Sequence, residues 1–346
     1  MHPFEYLNKK KRPFVNHSQL NTSKSLLLVA ALALAALAGL GQAHAQTYPN
    51  KPIRMVVPYA AGGNADITAR LIAKKMSDSM GVPILVDNKG GANGMIGTDI
   101  VAKASADGYT LLMDASGPLV INPVLYAKVP YDTLKDFAPI SQILTYQYVL
   151  VVPTHSTITS LPVLVAKAKA QPGALSYGST GIGGGGHLAG ELLSLMTGTT
   201  LTHVPYKGSA PALADLLGGH LTFTYDTVIT SVPQIEAKQL RAFAVSGPTR
   251  AKSLPQVPTM QELGYKGFDI TQFVGLLAPA KTDPAIINRL HQEAVKAVKS
   301  AEIIQRLGVE GGNELVGSSP AEFLAQIQRD MAIYAKLVKD ANIQPQ

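Results

Sequence analysis

From residue 53 onward, short apolar segments alternate with segments whose apolar residues recur at helical spacing. Ile53–Val57 is rich in β-branched residues, as buried strands are, and the apolar positions between 67 and 76 then predict a helix. The same reading predicts further strands at 83–86, 109–113, 148–152, 175–177, 201–204, 221–225 and 241–245, and helices from 96 and at 161–170, 187–196, 210–217, 232–237, 284–300 and 320–340. This alternation indicates an α/β fold with parallel sheets covered by helices.

The pattern restarts near residue 148, which predicts two α/β lobes with a cleft between them. Ligands of open α/β sheets bind at the carboxyl ends of the strands, and glycines gather there in the loops 60–65, 90–95 and 178–186. Each loop precedes a predicted helix, whose first turn offers unpaired N–H groups and the positive end of the helix dipole. The three loops therefore indicate an anion-binding cleft, and tight turns without a ligand are the alternative.

The first 45 residues have the pattern of an export signal. A basic stretch precedes the uncharged run 25–40, and Ala43 and Ala45 supply the small residues of a cleavage site. The run is shorter than the roughly 20 apolar residues that span a bilayer. We therefore expect cleavage between Ala45 and Gln46 and a periplasmic mature protein, with an uncleaved membrane anchor as the alternative.

The net charge and the composition of the chain exclude several classes of function. The chain has 346 residues and a formal net charge of +7, but its first 45 residues hold five basic residues against one acidic residue. The remaining sequence, with 25 basic and 22 acidic residues, is only mildly basic. The absence of cysteine excludes disulfides, thiolate metal sites, a cysteine nucleophile and a lipid anchor on cysteine. The absence of tryptophan and an aromatic content of 6% argue against a nucleic-acid platform, so no nucleic-acid partner is expected.

Cofactor, metal and catalytic patterns are weak. Residues 181–186 satisfy G-x-G-x-x-G, but the following strand ends at 203–207 without the acidic residue that a dinucleotide site needs. Ser179 and His187 are close in sequence, yet no G-x-S-x-G motif surrounds the serine, and the histidines lack metal-ligand spacing. We therefore expect no catalytic residue, no metal and no cofactor. Asp66 is read either as a helix first-turn residue paired with Arg70 or as a ligand contact.

Several ordered blocks from residue 48 to the C-terminus make the chain recognisable. They include YPNKPIRMVVPYAAGGNAD, DNKGGANGMIG, NPVLY, YDTLKDFAPI, HVPYKGSAPALADLLGG, LRAFAVSGPTRAKSLPQVPTMQELGY and GLLAPAKTDP. With these blocks the chain resembles the Bug-type, or TctC family, extracytoplasmic solute-binding proteins of tripartite tricarboxylate transporters. The sequence departs from the usual family residues at two places near the expected cleft. Residues 87–90 read DNKG where ENRP is usual, and Phe273 stands where tryptophan is common.

The resemblance implies a two-lobed periplasmic-binding-protein fold of the Venus-flytrap form, each lobe a mostly parallel sheet flanked by helices. Lobe 1 would comprise residues 46–150 and 273–346, and lobe 2 residues 151–272. Family members hold a ligand carboxylate largely through backbone amides and ordered water. Carried over to this sequence, the ligand-binding residues are Tyr59, Ala61, Gly62, Gly63, Asn64, Asp66, Asn93, Gly94, Met95, Ser179, Thr180, Gly181, Gly183, His187, Tyr225, Asp226 and Phe273.

The function implied is that of a monomeric receptor and not of an enzyme. It would capture a dicarboxylate, a tricarboxylate, an acidic amino acid or an aromatic carboxylate and deliver it to membrane transporter subunits. Two alternatives stay open. One is an exported enzyme acting on a small carboxylate or ester, either a hydrolase that uses Ser179 or a transferase. The other is a periplasmic ligand-sensor partner of a membrane kinase. Asp114 follows the third strand and either faces the cleft, where it would repel a second carboxylate or pair with an ammonium group, or is a solvated or capped loop residue.

Overall fold

The computed structural model describes residue 11 and residues 48–340, so the predicted export signal and its cleavage site lie outside the described residues. Ten strands are present in this part of the chain: β1 Ile53–Val57, β2 Ile84–Asn88, β3 Thr110–Ala115, β4 Phe137–Pro153, β5 Ser176–Ser179, β6 Thr202–Pro205, β7 Phe223–Thr227, β8 Leu240–Val245, β9 Thr271–Pro279 and β10 Glu314–Leu315. Among these residues, no helix is long and apolar enough to cross a membrane.

Ten α-helical segments accompany these strands among the described residues. They are α1 Asn64–Met80, α2 Met95–Ala102, α3 Asn122–Leu125, α4 Leu161–Ala170, α5 Gly185–Thr197, α6 Ser209–Leu217, α7 Val228–Glu236, α8 Pro284–Val298, α9 Ala301–Ile303 and α10 Pro320–Asp340. Sequence signals explain several boundaries. Gly81 ends α1 in the left-handed conformation, and Ser160 caps α4 just ahead of Pro162.

The strands form two halves that share β4. In the first half β2, β1 and β3 are parallel, and β9 and β4 follow as antiparallel neighbours. In the second half β6, β5 and β7 are parallel, and β7 and β8 both pair antiparallel with β4. The expected two-lobed α/β fold is confirmed. Each half is a mixed sheet, because β9 in the first half and β4 in the second half run antiparallel to the three parallel strands.

Among the strands that the sequence predicts, β4 differs most, since 148–152 is only its last third, and β9 and β10 have no predicted counterpart. Residues 137–147 pair with β9, and residues 148–153 pair with β7 and β8. The register shifts between Pro139 and Ser141 and again between Gln142 and Leu144. Such bulges, together with the proline, break the regular alternation by which a strand is recognised in a sequence.

Apolar side chains bury the sheet under its helices. In β1 every residue except Arg54 is buried, and α1 turns Ala69, Ile72, Ala73 and Met76 toward the interior. Because all strands of a parallel set point the same way, the loops after β1 and β3 meet at one edge of the first half, and those after β5, β6 and β7 meet at one edge of the second. These two edges face each other across a cavity.

Candidate functional site

A cavity lies where the loops of the two halves meet. Its wall consists of Tyr59, Gly63, Asn64, Ala65, Ala115, Tyr146, Tyr148, Thr180, Gly184, Gly208, Ser209, Thr227 and Gln272. None of these residues has a charged side chain, so within the described part of the chain the wall is polar but neutral. A ligand bound here would be held by hydrogen bonds and by dipoles.

Four helices begin at this cavity. The N-cap residues of α1, α5, α6 and α7 are Gly63, Gly184, Gly208 and Thr227, and all four line the wall. Among the described residues, no side chain caps these N-termini by a hydrogen bond. Their first-turn N–H groups therefore lack the usual side-chain acceptor, and their positive dipole ends converge on one small volume. This arrangement suits an anion.

The loop after β1 contributes Tyr59, Gly63 and Asn64 to the wall. Asn64 is 4% exposed, and its amide nitrogen Nδ2 has no hydrogen-bond partner among the described residues. The neighbouring Ala61 and Gly62 lie in the exposed turn before α1, outside the wall. Thus half of this predicted loop faces the cavity and half shapes the turn.

Asp66 organises that loop instead of facing the cavity. Its Oδ2 accepts from the backbone N–H of Gly62 (2.9 Å) and from Nε of Arg70 (3.0 Å), and its Oδ1 accepts from Nδ2 of Asn88 (3.0 Å). Burial alone would raise the pKa of Asp66, but the hydrogen bonds from Arg70, Gly62 and Asn88 outweigh it, so the pKa is lowered. The carboxylate is ionised, with both oxygens already used inside the protein.

The loop after β2 lies behind the cavity wall. Asn93 adopts a left-handed conformation, its Nδ2 donates to Oδ1 of Asn122 (2.8 Å), and Asn122 in turn donates to the Asn93 carbonyl (3.1 Å). Gly94 has a φ of +85°, and a Cβ at this position would meet Pro118 at 2.4 Å. Met95 begins α2 and is not part of the wall. These three predicted residues build the support of the site.

In the loop after β5, Thr180 reaches the wall and the other predicted residues hold the loop. Ser179 Oγ accepts from the Gly181 N–H (3.1 Å) and lies 2.6 Å from Nε2 of His203, while the Gly183 N–H donates to Nδ1 of His187 (3.2 Å).

The imidazoles of His187 in α5 and His203 in β6 lie together, with ring centroids 4.2 Å apart. Burial, with the neighbouring His187 adding to it, lowers the pKa of His203 to about 3, and burial also lowers the pKa of His187. The pair is therefore neutral at physiological pH. No sequence motif indicates the Ser179–His203 contact, because the two residues are 24 positions apart. Ser179 is 3% exposed and lies outside the cavity wall.

Three further predicted residues are packed in the interior. Tyr225 is 1% exposed and its hydroxyl contacts Sδ of Met260 (3.6 Å), because side chains alternate along β7 and this one faces the core. Asp226 accepts from Ser231 Oγ (2.8 Å), and burial raises its pKa. Phe273 packs edge-on against Phe323 with ring centroids 5.2 Å apart. None of the three lines the cavity.

Asp114 does not line the cavity, and it is neither a solvated nor a capped loop residue. It lies in β3, fully buried, with the Ala115 N–H donating to its Oδ1 (2.7 Å) and Thr98 Oγ1 at 2.8 Å from its Oδ2. Burial raises its pKa to about 8.

The site contains residues that sequence reasoning did not select. They are Ala115, Tyr146, Tyr148, Gly208, Ser209, Thr227 and Gln272, together with Ala65 and Gly184, which lie in the predicted loops 60–65 and 178–186 but were not selected as ligand-binding residues. Gly208 precedes α6 just as the other loop glycines precede their helices, so the same signal could have found it. Tyr146, Tyr148 and Gln272 lie on strands that run between the halves, and no local motif marks them.

Comparisons with known proteins agree with this architecture. The model of the TctC family, described as tripartite tricarboxylate transporter family receptor, matches residues 68–343. Protein BugT of Bordetella pertussis is 37% identical over 297 residues, which cover 86% of this chain and 91% of BugT. Among solved structures, the periplasmic binding protein BugD has a TM-score of 0.83 at 32% identity, over 86% of this chain and all of that one.

Two similar structures contain carboxylates. Rpa4515 of R. palustris, solved with adipate, has a TM-score of 0.83 at 34% identity and covers 86% of this chain and all of its own. MatC of Rhodopseudomonas palustris, with bound malate, has a TM-score of 0.80 at 26% identity over 84% of this chain and all of its own. The chain belongs to the TctC family of tripartite tricarboxylate transporter receptors, whose members are solute-binding proteins and not enzymes.

Proposed function

We propose that this protein is a periplasmic receptor that captures a small carboxylate between its two lobes and delivers it to the membrane subunits of a tripartite tricarboxylate transporter. The observation that carries the proposal is the meeting of four helix N-termini, without side-chain caps among the described residues, at one uncharged cavity. A carboxylate accepts hydrogen bonds from first-turn N–H groups and is stabilised by the positive dipole ends.

Side-chain donors at the same wall complete the site. The free Nδ2 of Asn64 and the hydroxyl of Thr180 are available to a ligand oxygen, while the hydroxyls of Ser209 and Thr227 already bond inside the protein, to Asp226 and to Thr230 Oγ1. Several charge-assisted hydrogen bonds in a closed cavity can reach micromolar affinity, roughly −8 kcal/mol. Neutral donors in place of an arginine clamp keep the complex dissociable, which delivery to a transporter requires.

The similar proteins with adipate and malate support a small carboxylate as the ligand class. We also propose that the mature chain begins at Gln46 after cleavage of the export signal and acts as a monomer. In this proposal residues 46–150 and 273–346 form lobe 1 and residues 151–272 form lobe 2. In this proposal Tyr59, Gly63, Asn64 and Thr180 touch the ligand, and the other predicted site residues hold the loops or pack in the interior.

A thermal-shift screen of the chain from Gln46 tests the ligand class. We expect at least one of succinate, malate, adipate, citrate, aspartate or benzoate to raise the melting temperature. A ligand at 100 times its dissociation constant adds about 2.7 kcal/mol to the free energy of unfolding. The methyl esters of the same acids serve as controls and are expected to have no effect, because they lack the charge that the helix ends stabilise. Shifts with the esters but not with the acids would contradict the proposal.

Gly63→Val tests the position of the site. A Cβ at Gly63 would lie no closer than 3.8 Å to its neighbours, and the residue has a φ of −86°, so the substitution is compatible with the fold. The added isopropyl group would stand at the N-terminus of α1, where the carboxylate is placed. We expect calorimetry to show at least a tenfold loss of affinity, about 1.4 kcal/mol, with an unchanged melting temperature of the free protein.

Ala214→Val is the matched control for this substitution, since Ala214 is exposed on α6 and outside the cavity wall. It ends in the same isopropyl side chain without approaching the site, so its affinity is expected to equal that of the wild type. Equal affinities in the Gly63 and Ala214 variants would place the ligand elsewhere.

A further inference from the structure

One part of the cavity wall comes from the strands that run between the two halves. Tyr146 and Tyr148 lie two residues apart on β4, and Gln272 of β9 is the register partner of Tyr146. Their side chains are 6%, 2% and 3% exposed. The Tyr146 hydroxyl donates to Oε1 of Gln272 (2.9 Å), and the Tyr148 hydroxyl donates to the same oxygen (2.6 Å).

This network leaves one donor unused. Because burial raises the pKa of both phenols, each keeps its proton, and both protons are directed at a single amide oxygen. The two hydrogen bonds fix the orientation of the Gln272 amide, since its nitrogen could not accept from the phenols. Its Nε2 is buried and has no hydrogen-bond partner among the described residues, and Gln272 lines the cavity. A buried donor without a partner is unfavourable and is usually explained by a missing ligand atom or water.

We propose that Gln272 is a specificity-determining residue, which donates from Nε2 to an oxygen acceptor on the second polar group of the ligand. This inference rests on the proposed function, in which the helix N-termini hold the first carboxylate. Tyr146 and Tyr148 act as positioning residues, because they aim the amide without using its donor. The ligand class is thereby narrowed to carboxylates with a second carbonyl or carboxylate oxygen, and an ammonium group at that place is disfavoured.

Tyr334 of α10 is the internal group that competes for this amide. It lies beside Gln272, and its hydroxyl donates to the Thr271 carbonyl (2.9 Å), so only its oxygen lone pairs could accept from Nε2. Tyr334→Phe keeps the ring and removes that oxygen. If the amide serves the ligand, this variant retains the preference for a second acceptor.

The test compares matched acids that differ only in the second acceptor. Calorimetry of the chain from Gln46 is done with 4-oxopentanoate against pentanoate and with 5-oxohexanoate against hexanoate, so that chain length is controlled. Glutarate and adipate extend the series to a charged acceptor. For the length that fits, we expect the oxo acid to bind about tenfold more tightly than the alkanoate, since only the alkanoate leaves Nε2 unpaired.

Gln272→Glu keeps an oxygen for both phenols and replaces the donor by an acceptor. We expect the oxo-acid preference to fall to about onefold and the dicarboxylate to lose more affinity than the oxo acid, because like charges then meet in the cavity. Gln142→Glu makes the same chemical change on β4. Gln142 is 7% exposed, and its amide already donates to Thr145 Oγ1 (2.9 Å), outside the cavity wall. The preference is expected to survive in this control.

The outcomes separate this inference from the proposed function. An undiminished preference in Gln272→Glu, or its loss in Tyr334→Phe, would overturn the role of Gln272 while carboxylate binding itself stands. If no acid in the series or in the thermal-shift screen binds the wild type, the proposed function fails first.

Discussion

At the scale of single residues, Asp114 shows how surroundings decide the charge of a side chain at the back of the site. Thr98 Oγ1 lies 2.8 Å from its Oδ2 and 3.0 Å from the Gly94 carbonyl, which can only accept. Burial raises the pKa of Asp114 to about 8 and outweighs the hydrogen bonds that Thr98 and the Ala115 N–H donate to it, which lower the pKa. A neutral acid here also spares the carboxylate that we propose as the ligand a like charge.

Asp114→Asn should therefore flatten the dependence of stability on pH. The pKa of an unfolded aspartate is about 3.9, so between about pH 4 and pH 8 the unfolded state loses a proton that the folded state keeps. Stability of the wild type falls across that window by up to about 1.4 kcal/mol per pH unit from this residue, and asparagine removes the loss. Urea unfolding at pH 5 and pH 8 measures the difference between variant and wild type, which should grow in favour of the variant as pH rises.

Asp78→Asn provides the control for that measurement, because Asp78 is exposed at the surface in an ion pair with Lys74. Its difference from the wild type is expected to stay within about 0.5 kcal/mol at both pH values. A constant difference for Asp114→Asn as well would mean that the buried carboxyl group is ionised in the folded protein.

At the scale of elements, the sequence predicted the helix N-termini well and the strands between the halves poorly. A glycine loop followed by helical spacing is a local signal, and it located the starts of α1 and α5 at the cavity. Tyr146, Tyr148 and Gln272 reach the site through the pairing of β4 with β9, over 120 residues apart in the chain. Pairing at that distance leaves no periodicity in the sequence, so these residues could not be selected from it.

The same limit explains why several predicted residues hold the loops behind the cavity wall and do not line it. The sequence places Asp66, Asn93 and His187 beside the right loops, but it does not say whether a side chain faces the cavity or the interior of the loop. The residue types whose polar side chains hold a loop are the same as those that hold a ligand. Three-dimensional contacts distinguish them.

Asp66→Asn tests the link between a loop and its helix. The substitution weakens the hydrogen bonds that the carboxylate accepts from Gly62, Arg70 and Asn88, and charge-assisted bonds of this kind contribute about 1.5–3 kcal/mol each. We expect a loss of about 1–3 kcal/mol in the free energy of unfolding and a severalfold weaker carboxylate affinity, since the N-terminus of α1 is less well ordered. Urea unfolding and calorimetry measure the two effects.

The matched control lies on the same helix. Lys74 and Asp78 form an i,i+4 ion pair like that of Asp66 and Arg70, but both side chains of the control pair are more than half exposed. Asp78→Asn should change stability by less than about 0.5 kcal/mol and leave affinity unaltered. If Asp66→Asn behaves like this control, the loop does not depend on the buried carboxylate.

At the scale of the whole molecule, the net charge does not indicate the sign of the ligand. Much of the +7 belongs to the first 45 residues, and the cavity wall contains no charged side chain among the described residues. The positive character of the site comes from oriented backbone amides at four helix ends. The net charge counts only side chains and cannot include this contribution, so the proposal of an anionic ligand rests on the placement of the glycine loops.

Contacts across the cavity indicate that the structure is in a closed arrangement. The Ala60 N–H donates to the Lys207 carbonyl (3.1 Å), and the Tyr126 hydroxyl donates to the Ile182 carbonyl (3.1 Å). Ala60 and Tyr126 belong to the half with β1, and Lys207 and Ile182 to the half with β5. A ligand between the halves adds further bonds to both, and it therefore favours this arrangement over one in which the halves are apart.

Small-angle scattering of the chain from Gln46 tests whether closure accompanies binding. A compact chain of about 300 residues has a radius of gyration of about 19 Å, and we expect the free protein to exceed that value and to approach it when a carboxylate saturates the site. Gly63→Val, which blocks the N-terminus of α1, should show no compaction at the same concentration of acid, while Ala214→Val should contract like the wild type. Identical scattering of the free and saturated wild type, with binding measured by calorimetry in the same samples, would mean that the receptor is already closed when it is empty.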